Sequence, residues 1–385
     1  MSRLCGSDNT ASGKPCRNPA ASCPIPHHRF SRRKVSSRSQ AKLPPITAEA
    51  VTANLTKRES DRCWQMPLVS ADPGRFRQLR DLAAAETGLP AAQITHDYHL
   101  HRTLYGLGST LPSSSPLVDT NDEATVIGES WAFAGGTALA SAHRLVDRFS
   151  EDVDLVAFVP PSVGRSSLDR TLRRGLISAA AHAANPDPAS HRIPGSGSVA
   201  TANIRIAGGI VVRVDAATMA PRAGTPNPDV VLLHPYSLMG RYADSGDLEA
   251  HPELGGYAVD GLAVQVTAAN KMAALHEAAV QNRLDQVRQR GRDLYDLACI
   301  ANSDGHASAA KEHIADIAGH TVRTARTRRG NAGRPEGGYS TSQVFDPRTA
   351  PGEALRVGYE QMQPMIFGSY RPMFEEALAA AKTLD

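Results

Sequence analysis

Residues 134–140 read Ala-Gly-Gly-Thr-Ala-Leu-Ala, and residues 148–155 read Arg-Phe-Ser-Glu-Asp-Val-Asp-Leu. The glycine pair opens a short apolar helix. About a dozen residues later a strand carries Asp152 and Asp154. Residues i and i+2 of a strand share a face, so the two carboxylates repel each other unless a cation lies between them. That pattern reads as a site for Mg²⁺ or Mn²⁺ bound by carboxylates and substrate phosphates. The Gly135-Gly136 turn offers backbone N–H groups and a helix N-terminus to an anionic phosphate. Taken alone, Asp-x-Asp is also a solvated strand end, and Gly-Gly-Thr a turn. Their combination in this order reads as a nucleotide-handling site.

Working outward, Trp131–Ala134 is expected to be a strand, followed by a helix to Leu145 and the Asp-bearing strand Val153–Val159. Pro160-Pro161 ends that strand, and Leu168–Ala184 is an Ala-rich helical stretch. Val199–Ile206 and Ile210–Val214 form a hairpin across Gly208-Gly209. Val230–Leu233 reads as another strand and Gly240–Gly256 as an irregular loop. Upstream, Phe76, Leu79 and Leu82 recur at helical spacing, and a second helix runs near Ile94–Leu107. Downstream, Asn270–Asn282 and Asp293–Ala301 are helical, with Gly291 allowing a turn before the latter.

The stretch resembles the signature of the AbiEii/AbiGii-type nucleotidyltransferase toxins, a group within the DNA polymerase β-like superfamily that includes the Men-type toxins. The resemblance rests on Gly135-Gly136-Thr137 with Arg148-x-Ser150-x-Asp152-Val-Asp154-Leu155. It extends to Thr95-His-Asp97-Tyr98, to Lys271 within Asn270-Lys-Met-Ala-Ala-Leu275, and to Arg292-Asp293-Leu-Tyr-Asp296-Leu297. The tail, with Pro364-Met365, Phe374 and Leu378, resembles the family's closing helices, so the likeness spans roughly residues 75–385. It implies an α+β fold: a polymerase β-like core with a mixed sheet flanked by helices, a helical C-terminal lobe and a small N-terminal extension. The expected divisions are 1–45, 46–125, 126–260 and 261–385. It also implies transfer of a nucleoside monophosphate from an NTP to an acceptor, in several members the 3′ end of tRNA. A cognate antitoxin partner follows from the same resemblance.

Such transfer requires in-line attack on the α-phosphate with positive charge near the developing oxyanions. Asp152 and Asp154 are the expected metal ligands. Gly135, Gly136, Thr137 and Ser150 are expected at the triphosphate, and Lys271 offers it a point charge. Arg148 pairs with either a carboxylate or a phosphate. Asp293, required in the related toxins, either positions Lys271 or acts on the acceptor hydroxyl. Asp296, one turn on, either braces neighbouring helices or joins the chemistry. Superfamily members often carry a third carboxylate on a neighbouring strand. Asp215, closing Ile210-Val-Val-Arg-Val-Asp215, is that candidate or an ordinary strand-end residue.

At 385 residues the chain can hold a catalytic core and an accessory lobe. No apolar run is long enough to span a bilayer and the N-terminus lacks a signal-peptide h-region, so a cytoplasmic protein without membrane contact is expected. Residues 1–42 hold nine Lys/Arg and one acid, Asp8, a net +8 in a chain of net +3, which leaves −5 for the remainder. The tail is either a phosphate-backbone contact or a solubilising arm. The run Arg323, Arg326, Arg328, Arg329 and Arg334 is either an RNA-contacting loop or a solvated linker. Cys5, Cys16, Cys23 and His27 can complete a tetrahedral Zn²⁺ shell, or be reduced thiols in an unstructured tail. The leading reading is an NMP-transferase toxin acting on tRNA or other RNA. The alternatives are a transferase modifying a protein or small molecule, and an inactive nucleic-acid-binding regulator.

Overall fold

Residues 130–158 fold as a strand, a short helix and a second strand. The computed structural model describes residues 68–110, 117–119, 122–128, 130–158, 200–206, 209–219, 227–316 and 333–385. The chain divides into two compact units, Met1–Ile46 and Thr47–Asp385. The first unit, with the proposed zinc ligands Cys5, Cys16, Cys23 and His27, lies outside the described residues, as do the stretch 168–184 and the arginines of 321–332.

Among the described residues of the second unit the first α-helices are α1 (Pro73–Thr87) and α2 (Ala91–Thr110). Asp72 caps α1, accepting from the Gly74 and Arg75 amides at 2.9 and 3.0 Å, with Pro73 at the first helical position. A strand pair follows, β1 (Leu117–Asp119) and β2 (Asp122–Gly128), which form their own two-stranded sheet. Then come β3 (Ser130–Ala134), α3 (Gly135–Ser141), β4 (Asp152–Phe158), β5 (Ala200–Arg205), β6 (Val211–Met219) and β7 (Val230–Leu233). Short helices α4 (Leu238–Tyr242) and α5 (Ser245–Ala250) lead to β8 (Val259–Leu262). The α-helices that follow among the described residues are α6 (Val264–Val280), α7 (Leu284–Gln289), α8 (Gly291–Ala301), α9 (Ala307–Asp316), α10 (Ala350–Met362) and α11 (Phe374–Lys382). The architecture is α+β, a mixed six-stranded sheet flanked by helices.

The sheet order is β5-β6-β4-β3-β8-β7. β4 runs parallel to β6 and β3 parallel to β8, while β3–β4, β5–β6 and β7–β8 are antiparallel. Alternation along β4 separates two surfaces. Val153, Leu155 and Ala157 join Val212, Val214 and Ala216 of β6 in a core covered by Leu100, Leu104 and Leu107 of α2. The opposite face carries Asp152 and Asp154, then Val156 and Phe158, which pack with Leu262 and Val266 at the start of α6. One strand thus begins polar and ends apolar on a single face.

Several boundaries depart from the sequence expectation. α3 stops at Ser141 rather than Leu145, because the chain turns there and Arg144 takes a positive φ of 56°. The Gly240–Gly256 stretch holds α5 and a 3₁₀ turn, Pro252–Leu254, instead of irregular loop throughout. β8 and α7 had no sequence counterpart. Gly291 does not serve a separate turn: it opens α8, and a Cβ there would collide with the backbone of Gly358 and Tyr359 in α10. Its bare backbone lets these two helices approach closely.

Candidate active site

Register places the carboxylates. Asp154 lies opposite Asp215 on the parallel neighbour β6, Asp152 lies opposite Arg213, and Ala134 at the end of β3 lies opposite Asp154. Asp152, Asp154 and Asp215 therefore share one face of two adjacent strands. α3 starts directly beside them, its first turn free of any side-chain cap. Gly135 has φ of 72°, and a Cβ there would run into the Asp154 carboxylate. Glycine is needed at this position both for its backbone conformation and for the space it leaves.

The electrostatics follow from that crowding. Burial, then the charges of Asp215 and Asp152, raise the Asp154 pKa to about 7, against the opposing pull of Lys271 and Arg292. Such a carboxylate is one that a bound cation would relieve. Oxygen donors on two adjacent strands fit a hard divalent cation. As placed, no group of three or more His, Cys, Asp or Glu among the described residues is gathered tightly enough to hold a metal ion. The outer two carboxylates lean on arginines instead: Asp215 on Arg213 at 2.9 Å, and Asp152 on Arg292 at 3.4 Å.

Behind the turn, the Thr137 hydroxyl donates to the Asp152 carbonyl at 2.5 Å, which leaves the Ser150 hydroxyl, 2.8 Å away, as donor to Thr137. Both side chains are buried, tying α3 to the start of β4. Gly136 faces inward too: a Cβ on it would meet the Arg148 guanidinium. Thr137 and Ser150 thus hold the turn in shape.

The helical half supplies the positive charge. Lys271 of α6 binds Asp293 at 2.5 Å and Asp296 at 2.9 Å, both on one face of α8. Burial opposes the charge on Lys271, yet the two carboxylates hold its pKa above the ordinary lysine value. Burial likewise opposes the charge on Asp293, but Lys271, Arg290 and Arg292 hold its pKa well below the usual carboxylate range. Arg290 reaches the second Asp293 oxygen at 2.9 Å. Asp293 is consequently a poor proton acceptor and a good anchor for Lys271.

Of the two partners the sequence left open for Arg148, the structure shows the carboxylate. Its Nε and Nη2 donate to the two Asp296 oxygens at 2.7 Å each, and Nη1 donates to the Phe149 carbonyl at 3.0 Å. Arg148 is 2% exposed and Asp296 fully buried, so this guanidinium braces its segment against α8. The same segment is pinned to the tail, where Phe149 N donates to Met365 O at 2.9 Å and Phe367 N to Asp147 O at 2.9 Å. Asp97 of α2 is engaged by another element. It accepts from the Leu238 amide at the start of α4, and burial raises its pKa to about 7. Arg213 was missed as a site residue, its only sequence signal being proximity to Asp215, whereas Arg292 opens the Arg292-Asp293-Leu-Tyr-Asp296-Leu297 motif and was expected to flank the site.

The sequence model of the family described as "Nucleotidyl transferase AbiEii toxin, Type IV TA system" matches residues 124–380. That match takes in every site residue described above. No curated protein matches the chain. Among solved structures, the CD-NTase CdnG of Bradyrhizobium diazoefficiens, in complex with GTP, is similar at 14% identity and a TM-score of 0.24. The likeness covers 75% of this chain and 97% of that one. So loose a superposition carries nothing beyond the likeness itself.

Proposed function

The chain belongs to the AbiEii family of nucleotidyltransferase toxins, and from that premise we propose that it transfers NMP from an NTP to RNA, at the 3′ end of tRNA. The observation that carries this reading is the register placing Asp154 beside Asp215, with Asp152 two residues away and Lys271 held nearby. Asp152, Asp154 and Asp215 would hold Mg²⁺ or Mn²⁺. When bound, that ion supplies charge neutralisation at the α-phosphate. Gly135 leaves room for substrate beside Asp154, and the first amides of α3 face the phosphates. Lys271, fixed by Asp293 and Asp296, adds a positive charge that need not reorganise during the reaction. In the transfer, the acceptor hydroxyl oxygen bonds to the α-phosphorus and the α–β bridging bond breaks. The products are extended RNA, pyrophosphate and a proton.

An RNA acceptor is supported by the net +8 of residues 1–42, by exposed Arg213 beside Asp215, and by exposed Arg205 further along the same strand pair, opposite Val211. The toxin–antitoxin family adds a cognate antitoxin as partner. Among the described residues no helix is long and apolar enough to cross a membrane. The test is incubation of the protein with Mg²⁺, total tRNA and each α-³²P-labelled NTP in turn, with Asp152→Ala as control. Label on tRNA that is lost in the control is the expected result and identifies the donor base. Label on protein or a small molecule instead would replace the acceptor. No transfer to any of these would sink the reading.

A further inference from the structure

Two arginines share the face of the catalytic carboxylates, and they are held differently. Arg213 grips Asp215 from the same strand with two contacts, Nη2–Oδ2 at 2.9 Å and Nε–Oδ1 at 3.2 Å. Arg292 comes from another element, the first turn of α8. Its Nη2 meets Asp152 Oδ2 at 3.4 Å, and its Nη1 lies 4.0 Å from Glu151 Oε2. The first contact is at the long end of hydrogen-bond range, and the second is an ion pair only. The Arg292 side chain is 33% exposed.

Lys271 is the other cation facing Asp154, and it has already given two of its three donors to Asp293 and Asp296. A guanidinium has five donors in a planar fork that matches phosphate oxygens. Arg292 is therefore the cation beside the carboxylate pair with the most donor capacity left. A divalent cation arriving at Asp152 competes with Arg292 for the charge of the same carboxylate. A partly exposed, single-contact ion pair is weak enough to yield it. Once released, Arg292 is still anchored one residue from Asp293, next to Lys271, and so remains at the site.

We propose that Arg292 is a triphosphate-binding residue, held on Asp152 until a divalent cation takes that carboxylate and then turned to the phosphates of the NTP. The proposal rests on the nucleotidyltransferase site described above. It makes Arg292 a competitor of the metal and a ligand of the nucleotide, so its removal should move the two affinities in opposite directions. A merely structural arginine would not do that.

The test uses the full chain and two probes. MnCl₂ alone is titrated, with free Mn²⁺ read by electron paramagnetic resonance. Inorganic tripolyphosphate, which needs no knowledge of the base, is then titrated calorimetrically at saturating MnCl₂. Arg292→Gln should bind Mn²⁺ a few-fold more tightly than wild type and bind tripolyphosphate roughly tenfold or more weakly. Arg292→Lys, which keeps the charge but not the fork, should fall between, and it keeps the test open should the glutamine variant not fold. Unchanged tripolyphosphate affinity, or Mn²⁺ binding that weakens, overturns the proposal. Asp152→Asn separates the two levels. Wild-type binding that needs Asp152 but ignores Arg292 overturns this proposal alone. Wild-type protein that binds neither probe overturns the carboxylate site and the proposal with it.

Discussion

Replacing Asp296 by Asn should destabilise the protein through charge alone. The Asp296 carboxylate is fully buried and pairs two cations, Arg148 through two 2.7 Å bonds and Lys271 at 2.9 Å. Arg148, Lys271, Asp293 and Asp296 together sum to zero charge, and Asp296→Asn leaves +1 among groups that are at most 8% exposed. Removing one partner of a buried pair costs about 3–5 kcal/mol because the other charge stays buried. Asn keeps one acceptor oxygen, which points to the low end, about 3 kcal/mol. At about 2.1 cal/mol/K per residue over the roughly 340 residues of Thr47–Asp385, the unfolding entropy is about 0.7 kcal/mol/K, so Tm should fall by about 4 °C. Differential scanning calorimetry reads this directly. Arg148→Met alone should cost a similar amount, by leaving −1. The double variant restores neutrality and should fall no further than either single one. A Tm loss under about 2 °C in Asp296→Asn, or an additive loss in the double variant, would refute the reasoning.

Three further perturbations follow from the same geometry. Gly135→Ala places a methyl group against the Asp154 carboxylate at a φ of 72°; it should lower transfer on the order of 100-fold by displacing the turn, and a variant keeping a tenth of wild-type kcat would contradict this. Asp154→Asn tests the raised pKa of about 7: stability tied to its protonated form is complete below the unfolded value near 4 and lost as pH rises through 7, so the variant should gain on wild type in urea denaturation at pH 8 and lose that gain by pH 4. An equal difference at both values would count against a shifted Asp154. Gly291→Ala forces α8 away from the Gly358–Tyr359 backbone; overpacking of about 2 kcal/mol should cost about 3 °C in calorimetry, and an unmoved Tm would mean the helices absorb the methyl group.

What could be read from the chain follows how locally each feature is determined. β3, β4 and the β5–β6 hairpin announce themselves by alternation and turn chemistry within a few residues. The strand β8 does not. Val259-Asp-Gly-Leu262 is four residues long with a glycine inside, which normally weakens a strand. Here a Cβ on Gly261 would displace the Leu233 side chain on β7, and this strand pairs with β3 near the sheet's centre. Neither neighbour is visible from its own four residues. α7 was equally opaque, being short and polar with Val287 as its buried anchor.

The site divides along the same line. Its anionic half lies on two strands, and the spacing of Asp152 and Asp154 exposes it. Its cationic half depends on contacts between α8 and positions 140 and 148 residues distant in sequence, Arg292 with Asp152 and Asp296 with Arg148. Which charge sits opposite each group is equally non-local: Arg148 lies against Asp296, and Asp293 against Lys271. Each half would be unfavourable alone: three carboxylates crowd one sheet face, and Lys271 and Arg148 lie buried. Bringing the helices onto the sheet offsets both, as the pull of Lys271 and Arg292 on Asp154 shows. Fold stability and poise for catalysis therefore depend on the same contacts. For that reason substitutions at Asp296 or Arg148 should impair transfer even where neither residue meets the substrate.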